Sequence, residues 1–128
     1  MSYIVDTDVL INVSHNVEAD ISFVRQSRTS YISVITATEL LHGVRNNNEL
    51  KITNKLIDHY NILHINEQIS EQAYQQAYQL VKGYFLSHSL LINDALIAAT
   101  AIHYGYTLVT HNIKHFRVVA KLKLHQPV

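Results

Sequence analysis

Four acidic residues stand where a simple hydrophobic core has no use for them. They are Asp6, Asp8, Glu39 and Asp94. The first two directly follow the apolar segment Tyr3–Val5, and the third comes shortly after a second apolar segment, Tyr31–Ser33. The fourth opens a run of almost uninterrupted apolar residues. If the apolar segments are strands of an open parallel sheet, these carboxylates meet at the edge where the strands end.

Carboxylates gathered at one edge repel one another, and a bound divalent cation is the usual way to keep them ionised. Ligation by oxygen atoms alone suits Mg²⁺ or Mn²⁺ better than zinc or copper. Such an ion orients a phosphate, stabilises developing charge and lowers the pKa of a bound water. The chemistry that these residues suggest is therefore metal-assisted hydrolysis of a phosphodiester.

Each carboxylate also has a simpler explanation. Thr36 and Glu39 have the spacing of a capping box at the start of a helix. Asp94 could complement a helix dipole, but that gains only about 0.3–1 kcal/mol, and burying a carboxylate costs several kcal/mol. Asp6 and Asp8 could be turn residues after a strand. Since these explanations are less convincing together than singly, we favour a shared site.

The elements that must position these residues follow from the apolar pattern. Short segments rich in β-branched and aromatic residues occur at Tyr3–Val5, Tyr31–Ser33, Ile62–Ile65 and Thr107–Val109. Segments with helical spacing separate them, and this alternation predicts a parallel sheet covered by helices. Helices are predicted from Thr36, after Asn66 and from Asp94 to Tyr104. In the second of these, Tyr74, Tyr78 and Tyr84 are expected to pack against apolar partners.

Composition limits the protein class. With 128 residues and 48% hydrophobic residues, the chain is predicted to form a single domain over residues 1–128. It contains no cysteine, which excludes a disulfide scaffold, a thiol nucleophile and a cysteine-ligated metal. Residues 95–102 form the longest apolar stretch, well short of the ~20 needed to cross a bilayer. We therefore expect a soluble cytoplasmic protein without a membrane segment.

Four segments in one order, residues 3–11, 32–40, 93–101 and 108–116, resemble the PIN-domain ribonucleases. More narrowly, the chain is similar to VapC, the toxin of type II toxin–antitoxin pairs. The resemblance implies an α/β fold, a three-layer α/β/α sandwich with a central parallel sheet. It also implies an Mg²⁺- or Mn²⁺-dependent endoribonuclease in which a metal-bound water attacks the phosphorus, leaving 5′-phosphate and 3′-hydroxyl ends.

The resemblance also assigns roles to individual residues. Asp6, Glu39 and Asp94 match the catalytic, metal-binding acids. A secondary set near the site comprises Asp8, Thr110, Asn112 and His115. The family usually has a further acid at the position of Asn112 or His115, and its absence here favours a single tightly held ion. The imidazole of His115 could contact phosphate, bind metal or face solvent, and a solvent-facing ring is the default expectation.

The expected partners are an RNA substrate, a VapB-like antitoxin and a second copy of the chain in a homodimer. Lys114 and Arg117 are candidates for contacts to RNA, because basic residues cluster after Asp94. An ordinary solvated tail is the equal alternative for this cluster. Two other functions stay open at this stage. The chain could be a catalytically weak or inactive PIN-fold module that binds RNA or protein, or a nuclease that processes RNA without a toxin role.

Overall fold

A five-stranded parallel sheet forms the centre of the protein, in the order β3-β2-β1-β4-β5. The computed structural model describes residues 2–27, 30–84 and 91–128. The strands are β1 (Tyr3–Val5), β2 (Ser30–Ser33), β3 (Asn61–Leu63), β4 (Thr107–Val109) and β5 (Lys123–His125). The central strand β1 pairs with β4 so that Val5 lies opposite Val109, and the two strands end at the same level. The parallel sheet is as predicted, and β5 adds an edge strand that the apolar pattern did not reveal.

Helices cover both faces of this sheet. They are α1 (Thr7–Ser14), α2 (Glu18–Gln26), α3 (Val34–His42), α4 (Asn47–Asp58), α5 (Glu67–Tyr84), α6 (Ile92–Tyr104) and α7 (Ile113–Phe116). Ile4 and Leu108 pack with α5 and α6 on one face, and Val5 and Val109 pack with α1, α3 and α4 on the other. Because successive strand residues point to opposite faces, each short strand contributes to both cores. The expected three-layer α/β/α arrangement is confirmed.

Helix α3 begins earlier than its spacing predicts. Ser33, the last residue of β2, caps the helix by accepting a hydrogen bond from the backbone N–H of Ile35 at 3.1 Å. Glu39 consequently lies in the middle of α3 rather than in its first turn. The capping box between Thr36 and Glu39 is therefore wrong, because neither residue is at the helix start.

Helix α6 is as buried as its composition predicts. It begins at Ile92, two residues before Asp94, and five alanines or threonines in its central turns are inaccessible to solvent. Gly105 ends it in the left-handed conformation with φ of 70°, which glycine adopts without steric cost. The following residues lead directly into β4. This buried helix gives Asp94 a rigid support.

The packing expected of Tyr74 and Tyr78 is wrong, and the side chain of Tyr84 lies outside the described part of the chain. Ile69 and Ala73 form the buried side of α5, and the two tyrosines lie further round the helix, where they are 60% and 63% exposed. The Lys82 ammonium lies 5.9 Å from the centre of the Tyr78 ring. Helical spacing alone did not separate the buried stripe from its exposed neighbours.

In the described part of the chain, no helix is both long enough and apolar enough to span a membrane.

Candidate active site

The carboxyl ends of β1 and β4 bring Asp6 and Thr110 together. Each residue directly follows its strand, and the Asp6 N–H donates to the Val109 carbonyl at 2.9 Å. The Thr110 hydroxyl donates to Asp6 Oδ2 at 2.8 Å, and the Thr7 N–H donates to Asp6 Oδ1 at 2.8 Å. Both oxygens of this buried carboxylate are thus fixed by the backbone and hydroxyl groups around it.

Negative charge is concentrated around Asp6. The pKa of Asp6 is raised to about 7, mainly by burial and then by the nearby carboxylate of Asp8. Hydrogen bonds from Thr110 and Thr7 act in the opposite direction, whereas the charge of Asp94 adds to the increase. Asp6 and Asp94 are therefore close enough to interact, as the sequence predicts. A bound cation would relieve this repulsion.

Thr7 connects Glu39 to the same centre. Its hydroxyl donates to Glu39 Oε1 at 2.8 Å, while its backbone N–H holds Asp6. The hydroxyl of Thr36 lies 3.3 Å from the Thr7 hydroxyl, next to this contact. Sequence reasoning did not single out Thr7; its place between two acids at a strand-to-helix junction was the available signal. Asp6 and Glu39 are thus connected through a threonine rather than by direct contact, and Asp94 acts on Asp6 through its charge.

We expect Thr7→Val to lower the rate of RNA cleavage by about 10–100-fold, because hydrogen bonds to charged groups contribute about 1.5–3 kcal/mol. Valine keeps the shape of the side chain and removes only the hydroxyl that holds Glu39. The measurement is the single-turnover rate of RNA cleavage in the presence of excess metal. Thr38→Val is the matched control, since the Thr38 hydroxyl bonds only to the Val34 carbonyl within α3 among the contacts described. Equal rates for the two variants would contradict the role of Thr7.

Asp8 lies beside Asp6 and is held by the turn after β4. Its Oδ2 accepts hydrogen bonds from the His111 N–H at 3.1 Å and from the Thr110 hydroxyl at 3.4 Å. Burial raises its pKa, although these hydrogen bonds counteract the increase. Within the described residues, its buried Oδ1 has no hydrogen-bond partner. Asp8 therefore has one oxygen available to a ligand.

Asp94 meets His115 at the other side of the site. The imidazole Nε2 lies 3.1 Å from Asp94 Oδ2, and both side chains are largely covered. The expectation that His115 faces solvent is wrong, since it contacts a core acid. Asn112 is exposed, and its backbone N–H donates to the Thr110 hydroxyl at 3.0 Å. Lys114 and Arg117 lie on the surface in and directly after α7.

A hard divalent cation fits the chemistry of this donor set. Asp6, Asp8 and Asp94 offer carboxylate oxygens, one of them buried and unpartnered within the described chain. In that same part of the chain, no group of three or more acidic, histidine or cysteine residues is arranged to hold a metal ion. Mg²⁺ is commonly held by one or two carboxylates, with water and phosphate oxygens completing its shell. The residues fit an ion of that kind.

Comparison with known proteins agrees with this geometry. The family profile of the PIN domain matches residues 3–122. Ribonuclease VapC1 of Rickettsia felis is 34% identical over 128 aligned residues, covering 97% of this chain and 95% of that protein.

Solved structures agree in fold. A chain of VapBC-1 from nontypeable Haemophilus influenzae has a TM-score of 0.82 and 28% identity, with 98% of each chain covered. A chain of VapBC2 from Rickettsia felis, solved with a DNA fragment from its promoter, has a TM-score of 0.85 and 22% identity, again with 98% of each covered. The chain belongs to the PIN-domain family, as a VapC-like member of it.

Proposed function

We propose that this chain is a divalent-metal-dependent endoribonuclease and the toxin of a VapBC-type toxin–antitoxin pair. The observation that carries the proposal is the crowded carboxylate Asp6, which has Asp8 and Asp94 as charged neighbours and Glu39 one threonine away. A relative 34% identical over nearly its whole length is a ribonuclease VapC1. The two solved structures of similar fold described above are VapBC assemblies, which supports an antitoxin partner.

The roles of the site residues follow from their positions. Asp6 and Asp94 would bind the ion directly, with Glu39 held in reach by Thr7. When bound, the ion supplies charge stabilisation at the phosphate and a more acidic water. The Thr110 hydroxyl and the Thr7 N–H keep the Asp6 carboxylate in one orientation. The exposed cations Lys114 and Arg117 would contact backbone phosphates of the RNA.

We infer Mg²⁺ or Mn²⁺, and one ion rather than two. The donors are oxygens throughout, which these cations prefer. His115 occupies a position where the family commonly has an acid, and its imidazole contacts Asp94 instead of adding a carboxylate. A second cation therefore lacks the extra negative charge that it would need on this side of the site.

The direct test is cleavage of total cellular RNA by the purified protein. We expect cleavage with Mg²⁺ or Mn²⁺, none in EDTA, and recovery when the metal is added back, because the clustered carboxylates cannot act without a cation. The new ends, mapped by sequencing, should carry 5′-phosphate and 3′-hydroxyl groups. A protein that binds RNA but cleaves none with any divalent metal is a binding module, and the enzymatic proposal then fails.

The toxin role has a separate test in cells. Expression of the wild-type chain should arrest growth, and co-expression of the adjacent upstream gene should restore it if that gene encodes the antitoxin. Light scattering of the purified chain tests the homodimer that the family resemblance leads us to expect. Normal growth despite measurable nuclease activity would instead favour an RNA-processing enzyme without a toxin role.

A further inference from the structure

A fully buried carboxylate lies behind the active site. Asp20 belongs to the first turn of α2, and its side chain is inaccessible to solvent. Its Oδ2 lies 2.7 Å from Nε2 of His111, the residue that follows Thr110 at the end of β4. Burying a carboxylate is costly unless a close partner compensates. The short contact to His111, 91 residues away in sequence, compensates at Oδ2, whereas the buried Oδ1 has no hydrogen-bond partner among the described residues.

The imidazole of His111 has a second partner that fixes its tautomer. Gln126 Nε2 lies 3.3 Å from His111 Nδ1. A carboxylate accepts hydrogen bonds, so the ring donates to Asp20 through Nε2–H, and Nδ1 accepts from the amide of Gln126. The ring is thereby held between α2 and the segment after β5, with its position set from both sides.

The backbone of the same residue faces the catalytic carboxylates. The His111 N–H donates to Asp8 Oδ2 at 3.1 Å, and the neighbouring Thr110 hydroxyl donates to Asp6 Oδ2 at 2.8 Å. The turn at residues 110–111 therefore contacts both acids on one side and is tied to Asp20 on the other. A shift of this turn would move the donors away from both carboxylates together.

We propose that Asp20 is a positioning residue for the active site, which acts through His111 to hold the 110–111 turn against Asp6 and Asp8. The inference rests on the proposed nuclease function for its kinetic consequence. Groups that orient the residues of a metal site typically change activity or metal affinity by about 10–100-fold when they are removed. Asp20 itself is too deeply buried to touch RNA.

The test compares Asp20→Ala with Asp20→Asn and Glu18→Ala. Alanine removes the acceptor for the His111 ring, whereas asparagine keeps an oxygen that can accept from Nε2–H. Glu18 is the matched control, an exposed acid in the same first turn of α2. We expect kcat to fall about 10–100-fold in Asp20→Ala, with KM for RNA changed less than about twofold. Asp20→Asn and Glu18→Ala should both cleave at nearly the wild-type rate.

Amide hydrogen exchange gives a readout that needs no activity. If Asp20 positions the turn, exchange at the His111 N–H should be at least about tenfold faster in Asp20→Ala, while amides in the middle of α6 exchange as in wild type. A purely structural role would instead accelerate exchange throughout the protein and lower activity in proportion to unfolding. Normal kcat and normal His111 exchange in a folded Asp20→Ala variant would overturn the proposal.

A second variant covers the case in which Asp20→Ala does not fold. His111→Asn leaves a polar side chain too short to reach Asp20, and His111→Gln restores a donor of about the right length. We expect low kcat in the first and substantial recovery in the second; equal activity in both would contradict positioning. If wild type cleaves no RNA under any condition, the proposed function fails, and the exchange measurement still decides whether Asp20 holds the turn.

Discussion

Asp6→Asn should abolish RNA cleavage and at the same time stabilise the metal-free protein. The substitution keeps the size of the side chain and removes the negative charge at the centre of the proposed ion site. Loss of several kcal/mol of electrostatic stabilisation in the transition state lowers the cleavage rate by a factor of about 10³ or more. The measurement is the cleavage rate with saturating Mn²⁺, and Asp58→Asn at an exposed position in α4 is the control. A variant that keeps a tenth of the wild-type rate would exclude Asp6 from the site.

The stabilisation follows from the pKa of Asp6, which is about 7 in the folded protein against an ordinary value of 3.8. Between these two values the folded state binds more protons than the unfolded state, so stability falls as the pH rises through this window. Above pH 7 the wild-type protein has lost about 4 kcal/mol of its free energy of unfolding through ionisation of Asp6, and below pH 3.8 this loss vanishes.

Unfolding by urea in EDTA at pH 5 and pH 8 measures this effect. The free-energy advantage of Asp6→Asn over wild type should be larger at pH 8, because that is where the wild-type carboxylate is ionised. Comparing the two proteins removes the contribution of the histidines, which both contain. Added Mn²⁺ should stabilise wild type more than the variant, since the ion binds the charge that the variant lacks. If the difference in free energy of unfolding between variant and wild type is the same at both pH values, the raised pKa of Asp6 is contradicted.

The position of Asp6 could be predicted because it depends on local pattern and on a general rule. Tyr3–Val5 and Thr107–Val109 are short apolar segments that read as buried strands, and both are observed with those bounds. Parallel strands place the residues that follow them at one edge, so that Asp6 and Thr110 become neighbours. Nothing beyond the order of strands and helices was needed for this part of the site.

The parts that sequence did not predict depend on contacts distant along the chain. Asp20 and His111 are both unremarkable as single residues, and only the packing of α2 beside the end of β4 brings them to 2.7 Å. Whether Glu39 capped its own helix depended on Ser33, which serves as the cap instead. Local spacing offers several hydrogen-bond partners to each polar side chain, and tertiary structure selects one.

Asp94→Asn should lower the cleavage rate by about 10³-fold while leaving the fold intact. Asp94 is the third residue of α6, and its side chain is partly covered rather than fully buried. Asparagine can still accept a hydrogen bond from His115 Nε2, so the local contact survives and only the charge facing Asp6 is lost. The rate with saturating Mn²⁺ and the thermal midpoint are the two measurements.

Asn93→Ala is the control, because Asn93 is exposed and adjacent in the same helix turn; it should cleave at nearly the wild-type rate. The double variant Asp6→Asn, Asp94→Asn should be no slower than either single variant, since residues that act as one unit give non-additive losses. If the two losses multiply instead, Asp6 and Asp94 act independently. A single shared cation between them would then be the wrong description of this site.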